Sequence, residues 1–325
     1  MRSIFASFVI AAAAMLASAL PASAAFPEGQ VRLIVPFTAG TGPDVLARSV
    51  AQELSSIWSK PVVVINRPGS NGVLAIDLFR KSPPDRRTLV MIDSTFLTIN
   101  PYLYAKIAYD PAADFVPIAA LASTPFNLIV KATWPIQSLK ELIAYAKAHP
   151  GKLAYGSSTG IGHPGHLGME EFKKLTGTEM TLIPYLSSQP MLADLATGRL
   201  QLAWASYATA RAFIQNGTVR GLASGTRTRQ AELPNVPTVE EAGGPANFVV
   251  NRWLALYGAP ALTPETARQI AADAGKALQA PAVVEKIRSL SYEPLAGTGK
   301  DIDAWVRADS ERFAPPIREL KIKLE

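Results

Sequence analysis

Short apolar runs alternate along the chain with longer stretches in which apolar residues recur every three or four positions. Residues 31–35, Val-Arg-Leu-Ile-Val, read as a strand, and residues 43–57 carry Leu46, Val50, Leu54 and Ile57 on one helical stripe. Pro43 suits the first turn of that helix, where its missing N–H removes no hydrogen bond. Residues 62–65 and 89–92 read as further strands, the former stopped by Asn66-Arg67-Pro68-Gly69. The same rhythm predicts strands at 153–155, 180–183 and 200–204. It also predicts helices from about 164, 189 and 208, closed by Gly177, Gly198 and Gly217. Ser138 with Glu141, and Thr238 with Glu241, have capping-box spacing and predict helix starts, as do Thr263 before Pro264 and Thr298. Strands alternating with helices predict an α/β fold with parallel sheets.

Two longer apolar stretches break the rhythm, residues 118–130, interrupted by Ser123-Thr124-Pro125, and residues 248–259. Read as crossovers, they predict a discontinuous first lobe of residues 25–124 and 248–325 and a second lobe of residues 125–247. A cleft between two such lobes is a preferred place for a ligand. Residues 1–24 stand apart. Met1-Arg2 gives a positive start, residues 4–20 are apolar apart from Ser7 and Ser18, and Ala22-Ser23-Ala24 forms a small-residue cleavage site. This pattern predicts a secretory signal peptide and a mature chain starting near Ala25.

Composition narrows the chemistry. The 325 residues contain no cysteine, which excludes disulfides, thiol catalysis, thiolate metal sites and a lipid anchor on cysteine. The formal charge of +6 drops by one when Arg2 leaves with the leader. Lysines and arginines are dispersed, and no run is longer than a pair, as at 86–87 and 173–174. A nucleic-acid protein would gather them on one face; dispersed, they suit solubility and the attraction of small anions.

The loop Phe37-Thr38-Ala39-Gly40-Thr41, leading to Asp44, joins a strand end to a helix start. Free backbone N–H groups and the positive end of the helix dipole meet there, so the loop is a candidate anion site or, equally, an ordinary turn. It is not a dinucleotide fingerprint, because Val45 stands where the third glycine belongs and the next strand ends in Asn66-Arg67 rather than an acid. Gly156-Ser157-Ser158-Thr159-Gly160 matches the G-x-S-x-G nucleophile elbow, but the histidines (His149, His163 and His166) all lie close by rather than far downstream. A Ser/Gly-rich carboxylate-binding loop is the preferred reading, with a secreted serine hydrolase using Ser158 as the alternative. His163, His166 and Glu170 do not form a recognised zinc pattern, so no metal or cofactor is expected. His166 is a candidate donor into the cleft. Among aromatics near strand ends, Phe37, Phe96, Tyr185, Trp204, Tyr207 and Trp253 are core by default and pocket wall at most.

An ordered series of short motifs spans the mature chain: Ile34-Val35-Pro36-Phe37 before the Gly40/Gly42/Asp44 loop, Asn66-Arg67-Pro68-Gly69, Ile99-Asn100-Pro101, Tyr109-Asp110-Pro111, Gly156-Ser157-Ser158, Pro184-Tyr185 and Val236-Pro237-Thr238-Val239-Glu240-Glu241-Ala242-Gly243. In this set the chain resembles the solute-binding proteins of tripartite tricarboxylate transporters, the Bug family. The resemblance implies a two-lobed, periplasmic-binding-protein-like fold (a Venus flytrap of type II) and capture of a small organic carboxylate, a dicarboxylate or aromatic acid being favoured, without catalysis, for two integral membrane subunits. A monomer is expected, and so is a periplasmic location. The family's ligand loops map onto residues 36–44 and 156–160, with Ser94, Thr95 and Phe96 beside them. Tyr185, Ser206 and Tyr207 are implied to reach in from the second lobe. A sensor partner that presents its ligand to a signalling protein shares the same expectations. Leu186 and Ser187 replace the family's frequent basic residue and glycine, and Ser206 a frequent acid. With Trp204 and Tyr207, these changes predict a less polar distal pocket and an aromatic or bulky acid rather than citrate.

Overall fold

The computed structural model describes residues 26–69, 72–158 and 161–324; the expected signal peptide and Thr159 and Gly160 lie outside the described residues. The chain opens with β1 (Val31–Val35), α1 (Gly42–Trp58), β2 (Val62–Asn66), α2 (Val73–Arg80), β3 (Thr88–Asp93) and two short helices, α3 (Thr95–Thr98) and α4 (Asn100–Leu103). After β4 (Val116–Lys131) come α5 (Leu139–Ala148), β5 (Leu153–Ser157), α6 (Pro164–Thr176), β6 (Met180–Pro184), α7 (Ser188–Thr197), β7 (Leu202–Ser206), α8 (Tyr207–Gln215) and β8 (Val219–Ser224). The chain then returns through β9 (Asn251–Gly258) to α9 (Pro264–Gln279), α10 (Pro281–Ser289), β10 (Glu293–Pro294) and α11 (Gly299–Glu319).

The strands order as β2-β1-β3-β9-β4-β7-β5-β6, with β8 and β10 also paired to β4. In the first half β2, β1 and β3 are parallel; in the second, β6, β5 and β7 are parallel. The two halves meet in β4, whose 16 residues change partners midway: residues 116–125 pair with β9, and residues 126–131 pair with β7 and β8. Each half carries apolar clusters on both faces of its sheet, which is why its parallel strands read as near-continuous apolar runs. On α1 the predicted stripe is buried at Leu46, Val50 and Leu54, while Ile57 is 38 % exposed and Trp58 takes its place against the core.

The structure corrects two expectations. The sheet is mixed rather than parallel throughout, because β9 runs antiparallel to both β3 and β4. The two stretches read as crossovers contain β4 and β9; Pro125 falls where β4 changes partners, and its missing N–H breaks no essential rung. The Thr238/Glu241 capping box forms both of its hydrogen bonds, at 2.9 and 3.1 Å, yet no helix follows. The chain turns back at once through Gly243, at φ +78°, and the Gly244 amide bonds to the Val239 carbonyl at 2.8 Å. By contrast the Ser138/Glu141 box opens α5 as expected, with Gln137 N–H and Glu141 N–H both satisfied.

The exchange of partners in β4 is stitched by backbone hydrogen bonds. Phe126 N–H donates to the Val250 carbonyl at 2.8 Å, Gly225 N–H to the Phe126 carbonyl at 2.9 Å, and Val250 N–H to the Gly225 carbonyl at 2.9 Å. A β-carbon on Gly225 would stand 2.9 Å from Val250 N and 3.0 Å from Phe126 O, inside contact distance of rigid backbone. Gly225→Ala should therefore lower unfolding stability by about 2 kcal/mol, the usual scale of overpacking, as read from the midpoint of urea denaturation; a midpoint equal to wild type would show that this junction yields.

Candidate functional site

Between the two sheets lies a cavity of about 610 Å³, lined from the first lobe by Phe37, Thr38, Thr41, Thr95 and Phe96 and from the second by residues 161–164. The Asp44 carboxylate builds the first wall. Although Asp44 is 1 % exposed, it accepts hydrogen bonds from the Gly40 amide at 2.8 Å, Asn66 Nδ2 at 2.7 Å and Arg48 Nε at 3.1 Å. Asn66 Nδ2 also donates to the Phe37 carbonyl at 3.0 Å, tying the end of β2 to the loop. Burial alone would raise the Asp44 carboxyl, but the bonds from Arg48, Asn66 and Gly40 outweigh it and hold it below the usual carboxylate range.

This network divides the loop's donors. The amides of Gly40 and Thr41 are engaged, the former by Asp44 and the latter by the Thr38 carbonyl at 3.2 Å; the Thr41 hydroxyl bonds to that carbonyl as well. Gly40 and Thr41 thus fall short of the sequence reading as amide donors. The exposed Thr38 and Ala39 amides have no acceptor among the described residues. Gly40 sits at φ +81°, a conformation glycine adopts without strain, and so the chain can double back toward Asp44.

Phe96 and Thr95 form the side of the cavity. The Tyr109 hydroxyl donates to the Phe96 carbonyl at 2.6 Å, and the ring meets Phe37 edge-on at 6.5 Å between centroids. A β-carbon on Gly72 would overlap the Phe96 ring, so that glycine makes room for the wall. Thr95 donates its amide (2.9 Å) and its hydroxyl to Asp93 Oδ1. Ser94 is a correction. It is 4 % exposed, its amide and hydroxyl face the Trp253 backbone, and it supports β9 rather than lining the cavity.

The second lobe differs more from expectation. His163, not His166, lines the cavity. His163 caps α6, its Nδ1 accepting from Gly165 N–H at 3.2 Å, and that acceptor role places its ring proton on Nε2. His166 is 2 % exposed; its Nδ1 accepts from Gly162 N–H at 3.0 Å and its Nε2 lies 3.9 Å from Glu170, so it braces the interior. Ser157 and Ser158 are 1 % and 7 % exposed at the end of β5, and residues 161–164 occupy the cavity wall instead. Tyr185 turns its hydroxyl to Asp194 at 2.9 Å, and burial together with that carboxylate pushes its pKa up to about 12. Ser206 caps α8 by accepting from Thr209 N–H at 3.3 Å. Tyr207 stacks under Arg211, 5.4 Å from guanidinium to ring centroid. Trp204 is 1 % exposed against Phe248, and Leu186 is 99 % exposed to solvent. The expected apolar distal wall of Leu186, Trp204 and Tyr207 is therefore not assembled at this cavity.

Sequence reasoning passed over Asp93 and Arg252, both in the cavity wall. Arg252 Nη1 lies 3.6 Å from Asp93 Oδ2. The available signal was a charged residue heading the apolar run 253–258, at a point where the chain passes between lobes. Among the described residues no three His, Asp or Glu side chains converge as a metal site would require, and no helix is long and apolar enough to cross a membrane.

Two α/β lobes joined by exchanging strands, with a cavity of mixed polar and apolar lining between them, define a solute-binding receptor of the periplasmic type. Residues 46–322 match the tripartite tricarboxylate transporter family receptor, and the chain belongs to that family. It is 32 % identical to the protein BugT of Bordetella pertussis over 309 residues, covering 94 % of each chain. The UPF0065 protein in the tcbD-tcbE intergenic region of Pseudomonas sp. (strain P51) is 32 % identical over 299 residues, covering 92 % of this chain and 88 % of that one. Among solved structures, R. palustris Rpa4515 with adipate is 33 % identical with a TM-score of 0.75, covering 92 % of this chain and all of that one. The periplasmic binding protein BugD is 26 % identical with a TM-score of 0.68, covering 92 % and 100 %. The family is one of transporter receptors, not enzymes, and BugD is a periplasmic binding protein, so the match to G-x-S-x-G is not a nucleophile elbow.

Two outcomes test this arrangement. Asp44→Ala strands the Asn66 and Gly40 donors and should lower stability by about 2 kcal/mol while releasing the loop; unchanged denaturation and unchanged ligand affinity would contradict its organising role. For His163, burial first, then the charges of Arg252 and His166, hold the ring down to about 3 against an ordinary 6.5. The folded chain keeps it neutral where the unfolded chain takes up a proton, so its contribution is complete above pH 6.5 and drains away as the pH falls toward 3. His163→Asn, which retains a capping side chain, should flatten the acid side of the melting-temperature profile; parallel profiles would contradict the assignment.

Proposed function

We propose that this receptor is exported by a cleaved leader and captures a small organic carboxylate in the interlobe cavity, with dicarboxylates favoured. It would pass its ligand, as a monomer, to a transporter with two integral membrane subunits. The observation that carries the reading is the free amide of Thr38 in the cavity wall, with the free, exposed amide of Ala39 next to it on a loop fixed by the Asp44 network, and the His163 ring in the wall of the same cavity. Fixed main-chain donors replace the water around a carboxylate at little reorganisation cost. The adipate bound by the R. palustris neighbour supports the same ligand class. We infer lobes of residues 25–124 with 248–325 and of residues 125–247, a division supported by the exchange of partners in β4 at Pro125 and Phe126. The alternative of an aromatic acid loses its main argument with Trp204 in the core and Leu186 in solvent.

A thermal-shift panel of monocarboxylates, linear dicarboxylates, citrate, aromatic acids and amines tests this. A linear dicarboxylate at about a hundredfold above its dissociation constant should raise the melting temperature by several degrees, and amines should leave it unchanged. A response to amines, or to none of the acids, would remove the carboxylate assignment.

A further inference from the structure

Beside the main cavity is a second chamber, of about 440 Å³, that shares Thr41, Pro43 and Arg252 with it. It lies across the interlobe line. Arg252 and Thr124 are cross-strand partners on β9 and β4, one step from the point where β4 changes sheets. Arg211 comes from α8 in the second lobe, and its guanidinium reaches across to the Ser289 carbonyl at 3.3 Å and to the Ser291 hydroxyl. Both arginines line the chamber, together with the hydroxyls of Thr124, Ser206, Thr209 and Tyr292.

The charges do not balance. No acidic side chain is among the chamber's lining residues. Arg211 contacts only neutral groups, and among the described residues no carboxylate pairs with it. Asp93, the partner of Arg252 at 3.6 Å, faces the main cavity, and its other oxygen is engaged by Thr95. Thr124 Oγ1 is buried beside the Tyr292 hydroxyl and completes no regular hydrogen bond. One guanidinium with no carboxylate partner, a second whose acid faces the main cavity, and a buried hydroxyl without a regular hydrogen bond make a seat for an anionic group, and guanidinium forks suit a planar carboxylate.

We infer that this chamber takes the second anionic group of the ligand, so that the receptor selects dianions whose two ends are divided between the Thr38/Ala39 amides and the Arg211/Arg252 pair. The inference rests on the carboxylate reading of the main cavity and adds to it a named distal anchor. Because the two arginines come from different lobes, a dianion bridging them also holds the lobes together.

Calorimetric titration of the full mature chain with adipate and hexanoate, and with succinate and butyrate, tests it. Wild type should bind the better-fitting dicarboxylate at least about tenfold more tightly than its monocarboxylate partner. Arg252→Gln and Arg211→Gln should each bring that ratio close to one. If Arg252→Gln fails to fold, Arg211→Gln, whose guanidinium has only neutral partners, carries the test. A ratio near one in wild type, or a ratio unmoved in the variants, overturns the inference while leaving the carboxylate site standing. Failure of every mono- and dicarboxylate to bind overturns both. Hexanoate binding that rises to the adipate level when inorganic phosphate is added assigns the chamber to a free anion and overturns the dianion reading.

Discussion

One strand holds the two halves of this receptor in register. β4 is long enough to serve both sheets, and at Pro125 and Phe126 it leaves β9 for β7 and β8. The position of the cleft follows from that exchange. Residues just before the junction, Thr124 on β4 and Arg252 on β9, lie on the floor between the lobes, while loops at the strand ends of each lobe form the walls. Gly225 marks how little room the junction has, because three backbone segments pass there within hydrogen-bond distance. Some of the contact between lobes is polar: Arg312 on α11 pairs with Glu171 on α6, and Lys174 with Glu319 at 3.0 Å. Such contacts, exposed in part, rearrange at low cost.

On this frame the site is set by what the protein has already satisfied. A helix start offers several N–H groups to an anion, but Asp44 engages one of them and the Thr38 carbonyl another. The turn is thereby fixed, with the remaining amides of Thr38 and Ala39 left outward. The same division occurs in the second lobe, where His163 and His166 satisfy the amides of Gly165 and Gly162 and leave the His163 ring at the cavity wall. The main cavity wall thus carries a few placed donors and the Asp93–Arg252 pair, and the chamber beside it shares Arg252 and adds Arg211; on the proposed reading this separates recognition of one carboxylate from discrimination at the other end of the ligand.

Much of the architecture was legible in the chain because apolar periodicity reports burial directly. The stripe at Leu46, Val50 and Leu54, the helix-closing glycines 177 and 198, and the ordered family motifs all carried through to the structure. The site was legible at the level of loops but not of side chains. Ser94, His166, Ser206 and Tyr185 have the chemistry of ligand contacts, yet each is engaged by a nearby group of the protein. Local bonds of that kind depend on side-chain direction, which residue type and spacing leave open. Arg252 was missed for the converse reason. Its importance comes from a strand crossing assembled by residues more than a hundred positions apart, Thr124 and Arg252, and no local pattern encodes that meeting. The Thr238/Glu241 box shows the limit of a cap as a helix signal, since both bonds form and the chain still turns back after one turn.

The most direct measurement is a crystal structure of the mature protein with a linear dicarboxylate such as adipate. The account predicts electron density between the lobes, with one carboxylate within hydrogen-bond distance of the Thr38 and Ala39 amides. A ligand bound elsewhere on the surface, or seated in the cleft with both of those amides turned away from it, would contradict the account.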